Sequence, residues 1–271
     1  MVDRELQLRR ISKKHIQIYS FEEDFIVLPT KSSNKGSYGL VVPAKIKKTG
    51  MNVVLKLSLN YDPQLPILTD ILKEIILLQH LNQFPETKTV AFYGIAFTRD
   101  YKNLYLVLEA LDYDLDSIKK NDMAPEQYRL LFWKILNAFH AIHSAGVIHN
   151  DIKLPNIMIK GDDIRIIDFG FAEFLSVGPV VELVSNYKCT EVTKAPDSLD
   201  QADFGYKSKN RKSYATDMYS IGASMVHLIT KRYEKLQVKN NKIRNGIYNE
   251  EDGSFLKLGD ITSKLDSPRA L

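Results

Sequence analysis

Cysteine is almost missing from this chain: Cys189 stands alone among 271 residues. One thiol cannot close an internal disulfide, so the fold must be held by its core, and a reducing intracellular setting is expected, in the cytoplasm and/or the nucleus. Long apolar runs are also missing; none approaches the length of a membrane span, and no membrane partner is expected. The first twenty residues carry Arg4, Arg9, Arg10, Lys13 and Lys14 and lack the apolar centre of a secretory signal. Internal repeats and long low-complexity tracts do not occur. Charge of one sign is in modest excess only. A net charge of +4 accommodates anionic ligands without requiring nucleic acid, and direct nucleic-acid binding is not expected. What is present is an ordinary globular composition, 44% hydrophobic and 26% charged, at a length that fits one large domain or two lobes.

The most informative stretch is Val147-Ile148-His149-Asn150-Asp151-Ile152-Lys153-Leu154-Pro155-Asn156-Ile157-Met158-Ile159. Apolar runs bracket a polar knot of His149, Asp151, Lys153 and Asn156. A second acid follows in Ile166-Ile167-Asp168-Phe169-Gly170, and Lys160-Gly161-Asp162-Asp163 between them reads as a hairpin turn. Such a turn returns the second strand beside the first and brings Asp168 near Asn156. Two acids, a lysine and an amide then converge, a set suited to holding Mg2+ and a phosphate chain while one carboxylate orients an attacking hydroxyl. Each acid alone could be a turn or cap residue, but the set between apolar strands would be costly without a ligand.

Upstream, the pattern reads as strands: Phe25–Leu28, Leu40–Val42, Asn52–Leu57, Val90–Phe97 and Asn103–Leu108, with one helix over Pro66–His80. Gly36 and Gly39 lie at a hairpin tip, where glycine lets backbone N–H groups approach phosphates; such a pair is also an ordinary turn. Lys56 lies inside Val53-Val54-Leu55-Lys56-Leu57. A strand lysine is commonly solvated, yet apolar neighbours call for a buried anionic partner, and Glu74 on the helix is the candidate. Asp112, Asp114 and Asp116 then mark a boundary. They read either as solvated helix-start acids or as a cluster that attracts Arg- or Lys-rich partners by complementary charge. Downstream, Pro125–Ala145 is a long amphipathic helix with Leu130, Leu131, Trp133, Ile135, Leu136, Phe139 and Ile142, stopped by Gly146. Phe171–Pro196 is irregular, Lys207–Lys212 reads as a solvated basic loop, Thr216–Thr230 as a buried helix, and a further helix is placed near Phe255–Leu265. Residues 1–20 read as a solvated extension, or as an amphipathic helix for docking or homodimer formation.

Taken together, the motifs resemble the eukaryotic-type protein kinase family over roughly residues 25–230. The glycine-rich loop appears as Asn34-Lys35-Gly36-Ser37-Tyr38-Gly39-Leu40-Val41, the strand lysine as Val53-Val54-Leu55-Lys56, and the helix glutamate as Glu74. The catalytic loop is His149-Asn150-Asp151-Ile152-Lys153-Leu154-Pro155-Asn156, the metal motif Asp168-Phe169-Gly170. Ala195-Pro196-Asp197 closes the activation segment, and Asp217-Met218-Tyr219-Ser220-Ile221-Gly222 is the buried helix motif. The resemblance implies an α+β, bilobal kinase fold: a small antiparallel β N-lobe with one helix (21–109) after the extension (1–20), and a larger helical C-lobe (110–271) that is short at its C-terminal end. It implies ATP and Mg2+ (or Mn2+) as cofactors and a protein substrate. Lys56, held by Glu74, would bind phosphates, Asp151 would accept the hydroxyl proton, and Lys153 would steady the transferred group. Asn156 and Asp168 would bind metal, and the backbone at Gly36 and Gly39 would cover the phosphates. Leu108 would be the gatekeeper, Glu109 and Leu111 the adenine-contacting hinge, and Val41, Val54 and Met158 the adenine sandwich. Leu78, Tyr93, His149 and Phe169 would stack as an apolar spine. Lys153 and Thr190 resemble the serine/threonine class.

Departures from the family pattern carry information too. Asn34 replaces a glycine, Val54 an alanine, and Asp197 a glutamate. Asn150 stands where the family usually has an arginine that binds a phosphorylated activation loop. A neutral amide cannot form that charge-assisted pair, so activity without such phosphorylation is expected. The His149-Asn150-Asp151 wording is similar to that of viral kinases, baculoviral ones in particular, and of some bacterial effector kinases. A baculoviral setting implies a basic DNA-packaging protein as substrate. Two other readings are a nucleotide-binding pseudokinase or scaffold, and a small-molecule phosphotransferase of the aminoglycoside or choline kinase type. Lys153 and Ala195-Pro196 argue against the latter.

Overall fold

The computed structural model describes residues 16–29, 35–36, 39–60, 67–119, 123–175, 181–182, 193, 195, 211–230, 237–239, 242–244, 246–248 and 255–257. The chain divides into two units, Met1–Asp112 and Tyr113–Leu271.

In the first unit, β1 (Ile18–Ser20), a single helical turn α1 (Phe21–Asp24), β2 (Phe25–Val27), β3 (Lys35–Gly36), β4 (Gly39–Ile46) and β5 (Asn52–Asn60) precede α2 (Ile67–Leu81), and β6 (Phe92–Phe97) and β7 (Asn103–Glu109) follow. The strands form one sheet in the order β1-β6-β7-β5-β4-β2, with β3 paired to β4. Strand periodicity decides which side chains face which way. Val53 and Leu55 are buried in a core with Phe25, Ala44, Ile46, Ala96, Tyr105 and Val107. The alternate positions Val54 and Lys56 lie opposite Leu108 and Leu106 of β7. In α2, Ile71, Glu74, Ile75, Leu78 and Leu81 are buried at helical spacing, whereas Leu72, part of the same apolar run, is exposed.

The structure corrects the N-terminal reading. Residues 1–15 lie outside the described residues, but Ile18–Ser20 forms neither a solvated extension nor a helix. It pairs in parallel with Ile95–Phe97, and Ile95 N donates to Gln17 O at 2.9 Å. The strand thereby covers the β6 edge, whose backbone groups would otherwise lack sheet partners.

The second unit opens with β8 (Tyr113–Asp114), followed by α3 (Pro125–Ser144), β9 (Val147–Ile148), β10 (Ile157–Lys160), β11 (Asp163–Ile166), β12 (Glu173–Phe174), β13 (Val181–Glu182), β14 (Arg211–Lys212) and α4 (Tyr214–Thr230). Pro125 starts α3 where its missing N–H costs nothing, and the Gln127 side chain accepts from Ala124 N at 2.7 Å. Gly146, at φ 78°, closes the helix in the left-handed conformation glycine tolerates. Leu131, Ile135, Ala138, Phe139 and Ile142 form its buried stripe; Leu130, Trp133 and Leu136 fall on the opposite face and are exposed. Met218 of α4 is exposed for the same reason. Two further sequence readings change. Of the segment Lys207–Lys212, residues 207–210 lie outside the described residues, and Arg211–Lys212 is not a free loop but pairs with Val181–Glu182, which gives its inward-facing backbone groups sheet partners. In the segment Phe255–Leu265, residues 258–265 lie outside the described residues, and Phe255–Lys257 is not helical but pairs with Gly246–Tyr248, whose Ile247 and Tyr248 are strand-forming residues.

Gly94 gives the N-terminal staple its test. At φ 144° it abuts the Gln17 carbonyl, and an added Cβ would overlap that oxygen. Gly94→Ala is expected to cost on the order of 1–3 kcal/mol, with faster exchange of the Ile95 amide, read by thermal melting and hydrogen exchange.

Candidate functional site

Each unit contributes its own polar constellation. In the first, Lys56 Nζ lies 2.8 Å from Glu74 Oε1. The side chains are 15% and 10% exposed, so the pair has the partial burial in which an ion pair depends on good geometry to offset desolvation. The sheet places Lys56 opposite Val41 on one side and Leu106 on the other. At the hairpin tip Gly36 pairs directly with Gly39. Val54 pairs with Leu108, and Val41 is exposed while Leu108 is buried. Glu109 N donates to Ala91 O at 2.9 Å, and its carboxylate accepts from Ala91 N at 3.3 Å. Leu111 lies just beyond β7 and is half-buried.

In the second unit the expected hairpin is present: Ile157–Lys160 pairs with Asp163–Ile166 around Gly161 at φ 56°. Met158 sits within β10, opposite Arg165 and Asp114. Asp114 also accepts from Ser117 N at 2.8 Å, which makes it a cap for the turn Leu115–Ser117, while Asp112 and Asp116 are exposed. The hairpin brings the two halves of the polar knot together, with Ile167 N donating to Asn156 O at 3.0 Å. Lys153 Nζ lies 2.9 Å from Asp151 Oδ2. Asn156 Nδ2 donates to Asp151 O at 2.8 Å and to Asp151 Oδ2 at 3.1 Å. A buried carboxylate held by an ammonium and an amide has a fixed plane. Because the amide nitrogen of Asn156 is committed to Asp151, its oxygen is the atom that can meet a cation. Asp168 follows in a left-handed conformation, φ 63°, which Asp and Asn tolerate better than other side chains.

His149 ties these parts to one another. Asp151 N donates to His149 Nδ1 at 3.3 Å, so that nitrogen is unprotonated and Nε2 carries the proton donated to Ile167 O at 3.0 Å. Its ring lies 4.9 Å from that of Phe169 and 6.0 Å from that of Phe139. Leu78 and Tyr93 belong to the first unit, where Leu78 is buried and Tyr93 packs against the sheet core.

Sequence reasoning assigned Asp217 to a motif without giving it a task. The structure gives it one. Its carboxylate is almost fully buried, 1% exposed. It accepts from His149 N at 2.8 Å, from Asn150 N at 2.9 Å and from His143 Nε2 at 2.9 Å. The only local signal was an acid at the start of an apolar helix, which reads equally well as a favourable helix-dipole charge. His143 carried no signal beyond a histidine near a helix end. Its ring lies 4.7 Å from that of Tyr214, whose hydroxyl pKa is pushed up by burial. In the same region Ser220 Oγ donates to Thr193 O at 2.6 Å, and Thr193 and Ala195 are buried. Asn34, Ser37, Tyr38, Thr190, Pro196 and Asp197 lie outside the described residues.

Removing the Asp217 carboxylate would leave buried donors unsatisfied. Asp217→Ala is expected to cost on the order of 3 kcal/mol or more, measured by denaturant unfolding, with loss of slow exchange at the His149 and Asn150 amides. Asp217→Asn keeps one acceptor oxygen and should fall between the two.

A fixed acid with a neighbouring lysine and amide, and a second acid, Asp168, one residue after the Ile167 that bonds Asn156 O, are elements of phosphoryl-transfer sites, and comparison with known proteins agrees. Residues 34–269 match the protein kinase domain family. The chain is 30% identical over 200 residues to mitogen-activated protein kinase 15 of Oryza sativa subsp. japonica, covering 72% of this chain and 39% of that protein. It is 30% identical over 200 residues to mitogen-activated protein kinase 16 of Arabidopsis thaliana, covering 72% and 34%. It is 28% identical over 230 residues to mitogen-activated protein kinase MPS1 of Pyricularia oryzae, covering 83% and 53%. The matched region thus spans between about a third and a half of these relatives. The β-rich first unit and the helix-containing second unit are the two lobes of the α+β kinase fold, and the chain belongs to the protein kinase domain family.

Proposed function

We propose that the chain transfers the γ-phosphoryl group of ATP, with Mg2+ (or Mn2+), to serine or threonine hydroxyls of protein substrates, and that it does so without a phosphorylated activation segment. The observation that carries this reading is the fixing of Asp151 by Lys153 and Asn156. A carboxylate with a fixed plane can orient an acceptor hydroxyl and take its proton as the oxygen attacks. Lys153 steadies the negative charge of the group in transfer, and Lys56, oriented by Glu74, neutralises phosphate charge. The backbone at Gly36 and Gly39 covers the phosphates. Val41, Val54, Leu108, Glu109 and Leu111 of the first unit contact the base in this reading.

The donor set fits the metal that the family implies. Asn156 and Asp168 offer an amide oxygen and a carboxylate, hard donors of the kind Mg2+ takes. Among the described residues no group of three His, Cys, Asp or Glu side chains converges; Mg2+ at nucleotide sites is held by one or two protein oxygens together with phosphates and water. When bound, the ion neutralises charge on the phosphates, and the part of this chain is to hold it in place. Asn150 supports independence from activation-segment phosphorylation, because a neutral amide gains little from a phosphate group. The single cysteine supports an intracellular setting. Similarity of the His149-Asn150-Asp151 wording to viral kinases supports a viral source. Exposed Asp112 and Asp116 support a preference for basic acceptor peptides.

Incubation with γ-labelled ATP on a peptide array tests the reading. Transfer to serine and threonine peptides is expected, and Asp151→Asn should lower it by about 10²–10⁴-fold. Nucleotide binding without transfer would indicate a scaffold instead. Reversing Asp112 and Asp116 to lysine should reduce the ratio of basic to neutral peptides phosphorylated; an unchanged ratio would exclude a role for these two acids in acceptor choice.

A further inference from the structure

The segment that follows Asp168-Phe169-Gly170 is stitched to the stretch before Asp151. Leu175 N donates to Gly146 O at 2.8 Å. Glu173–Phe174 pairs antiparallel with Val147–Ile148. The next stitch is made by a side chain: Asn150 Nδ2 donates to Phe171 O at 2.9 Å. One residue earlier, His149 Nε2 donates to Ile167 O at 3.0 Å. Adjacent side chains therefore hold the carbonyls on either side of the metal motif, Ile167 before it and Phe171 after it. Between those anchors Asp168 is kept at φ 63°, a conformation that needs support from its surroundings. Asn150 is itself held at φ 65°, with its amide on Asp217 and only 7% of its surface exposed.

We propose that Asn150 is a positioning residue: its side-chain amide fixes the Phe171 carbonyl, and thereby the downstream end of the Asp168 motif, to the catalytic loop. The bond joins a neutral donor to a backbone acceptor, so it forms without any phosphate. This supplies a physical basis for a segment docked in its unmodified state. It also uses two properties of asparagine at once. Asparagine tolerates the left-handed backbone, and its amide offers donors on a short side chain. Aspartate shares the first property and at neutral pH lacks the donor; glycine shares the first and lacks the side chain.

That difference makes the proposal testable without assuming catalysis. The functional consequence rests on the kinase reading, whereas the contact does not, so exchange and turnover are read separately. Wild-type protein, Asn150→Gly and Asn150→Asp are compared by hydrogen-exchange mass spectrometry over residues 171–175, relative to the Pro125–Ser144 helix of the same sample. Glycine keeps the backbone conformation, so this variant is expected to fold. Both substitutions should speed exchange over 171–175 relative to the helix by about fivefold, the factor set by one neutral hydrogen bond of ordinary net strength. A ratio that stays at the wild-type value in Asn150→Gly, including one in which both regions speed up together, would overturn the proposal and leave Asn150 as a filler of left-handed backbone. In the transfer assay the variants should lower kcat with the KM for peptide little changed; a rise in peptide KM at constant kcat would contradict a positioning role. Wild-type protein that transfers no phosphate while the exchange difference persists would remove the kinase reading and keep the contact.

Discussion

The Asp217 carboxylate is the constraint on which the second unit depends. It is buried, and it accepts hydrogen bonds from two successive backbone amides, His149 and Asn150, and from the His143 ring. A buried carboxylate is stable only when it is satisfied in this way, and a loop with unpaired amides is stable only when something accepts from them. Each half requires the other. The helix Tyr214–Thr230 carries the acid, the helix Pro125–Ser144 carries His143, and the loop between His149 and Asn156 is held against both. The left-handed backbone at Asn150 follows from presenting two consecutive N–H groups to one carboxylate.

From that anchor the remaining geometry follows in sequence. With its backbone fixed, His149 directs Nε2 at Ile167 O and packs its ring on Phe169. Asp151, two residues on, receives Lys153 and Asn156. The hairpin through Gly161 then returns the chain so that Ile167 bonds Asn156. In the proposed reaction, preorganisation of this kind would be the chain's main contribution, because phosphoryl transfer leaves little covalent chemistry for side chains to perform. In the first unit the same economy is visible at Lys56, whose partner Glu74 is supplied by α2.

Much of this was legible in the residues. The strand pattern around Lys56 implied an anionic partner because an ammonium among apolar neighbours needs one, and Glu74 meets it at 2.8 Å. The turn at Gly161 implied the return of Asp168 toward Asn156, since two short apolar runs flank a turn-forming tetrapeptide. Other features were not legible, for identifiable reasons. Ile18–Ser20 is too short to show a period, and its strand character comes from the β6 edge it covers. Trp133 and Leu130 belong to the apolar set that identifies their helix and are exposed all the same, because an apolar-rich helix does not announce which stripe faces inward. The roles of Asp217 and His143 depend on contacts 67 to 74 residues apart in sequence, which no local pattern encodes.

In the proposed reading the loop from His149 to Asn156 is set by internal contacts alone, with Asn150 standing where a phosphate-binding arginine would. The most direct measurement is the initial rate of phosphoryl transfer by protein treated exhaustively with phosphatase, its unphosphorylated state verified by intact mass, against untreated protein. Equal rates from the first turnover, without a lag, are expected. Loss of nearly all activity on treatment, restored as phosphate returns to the chain, would contradict it.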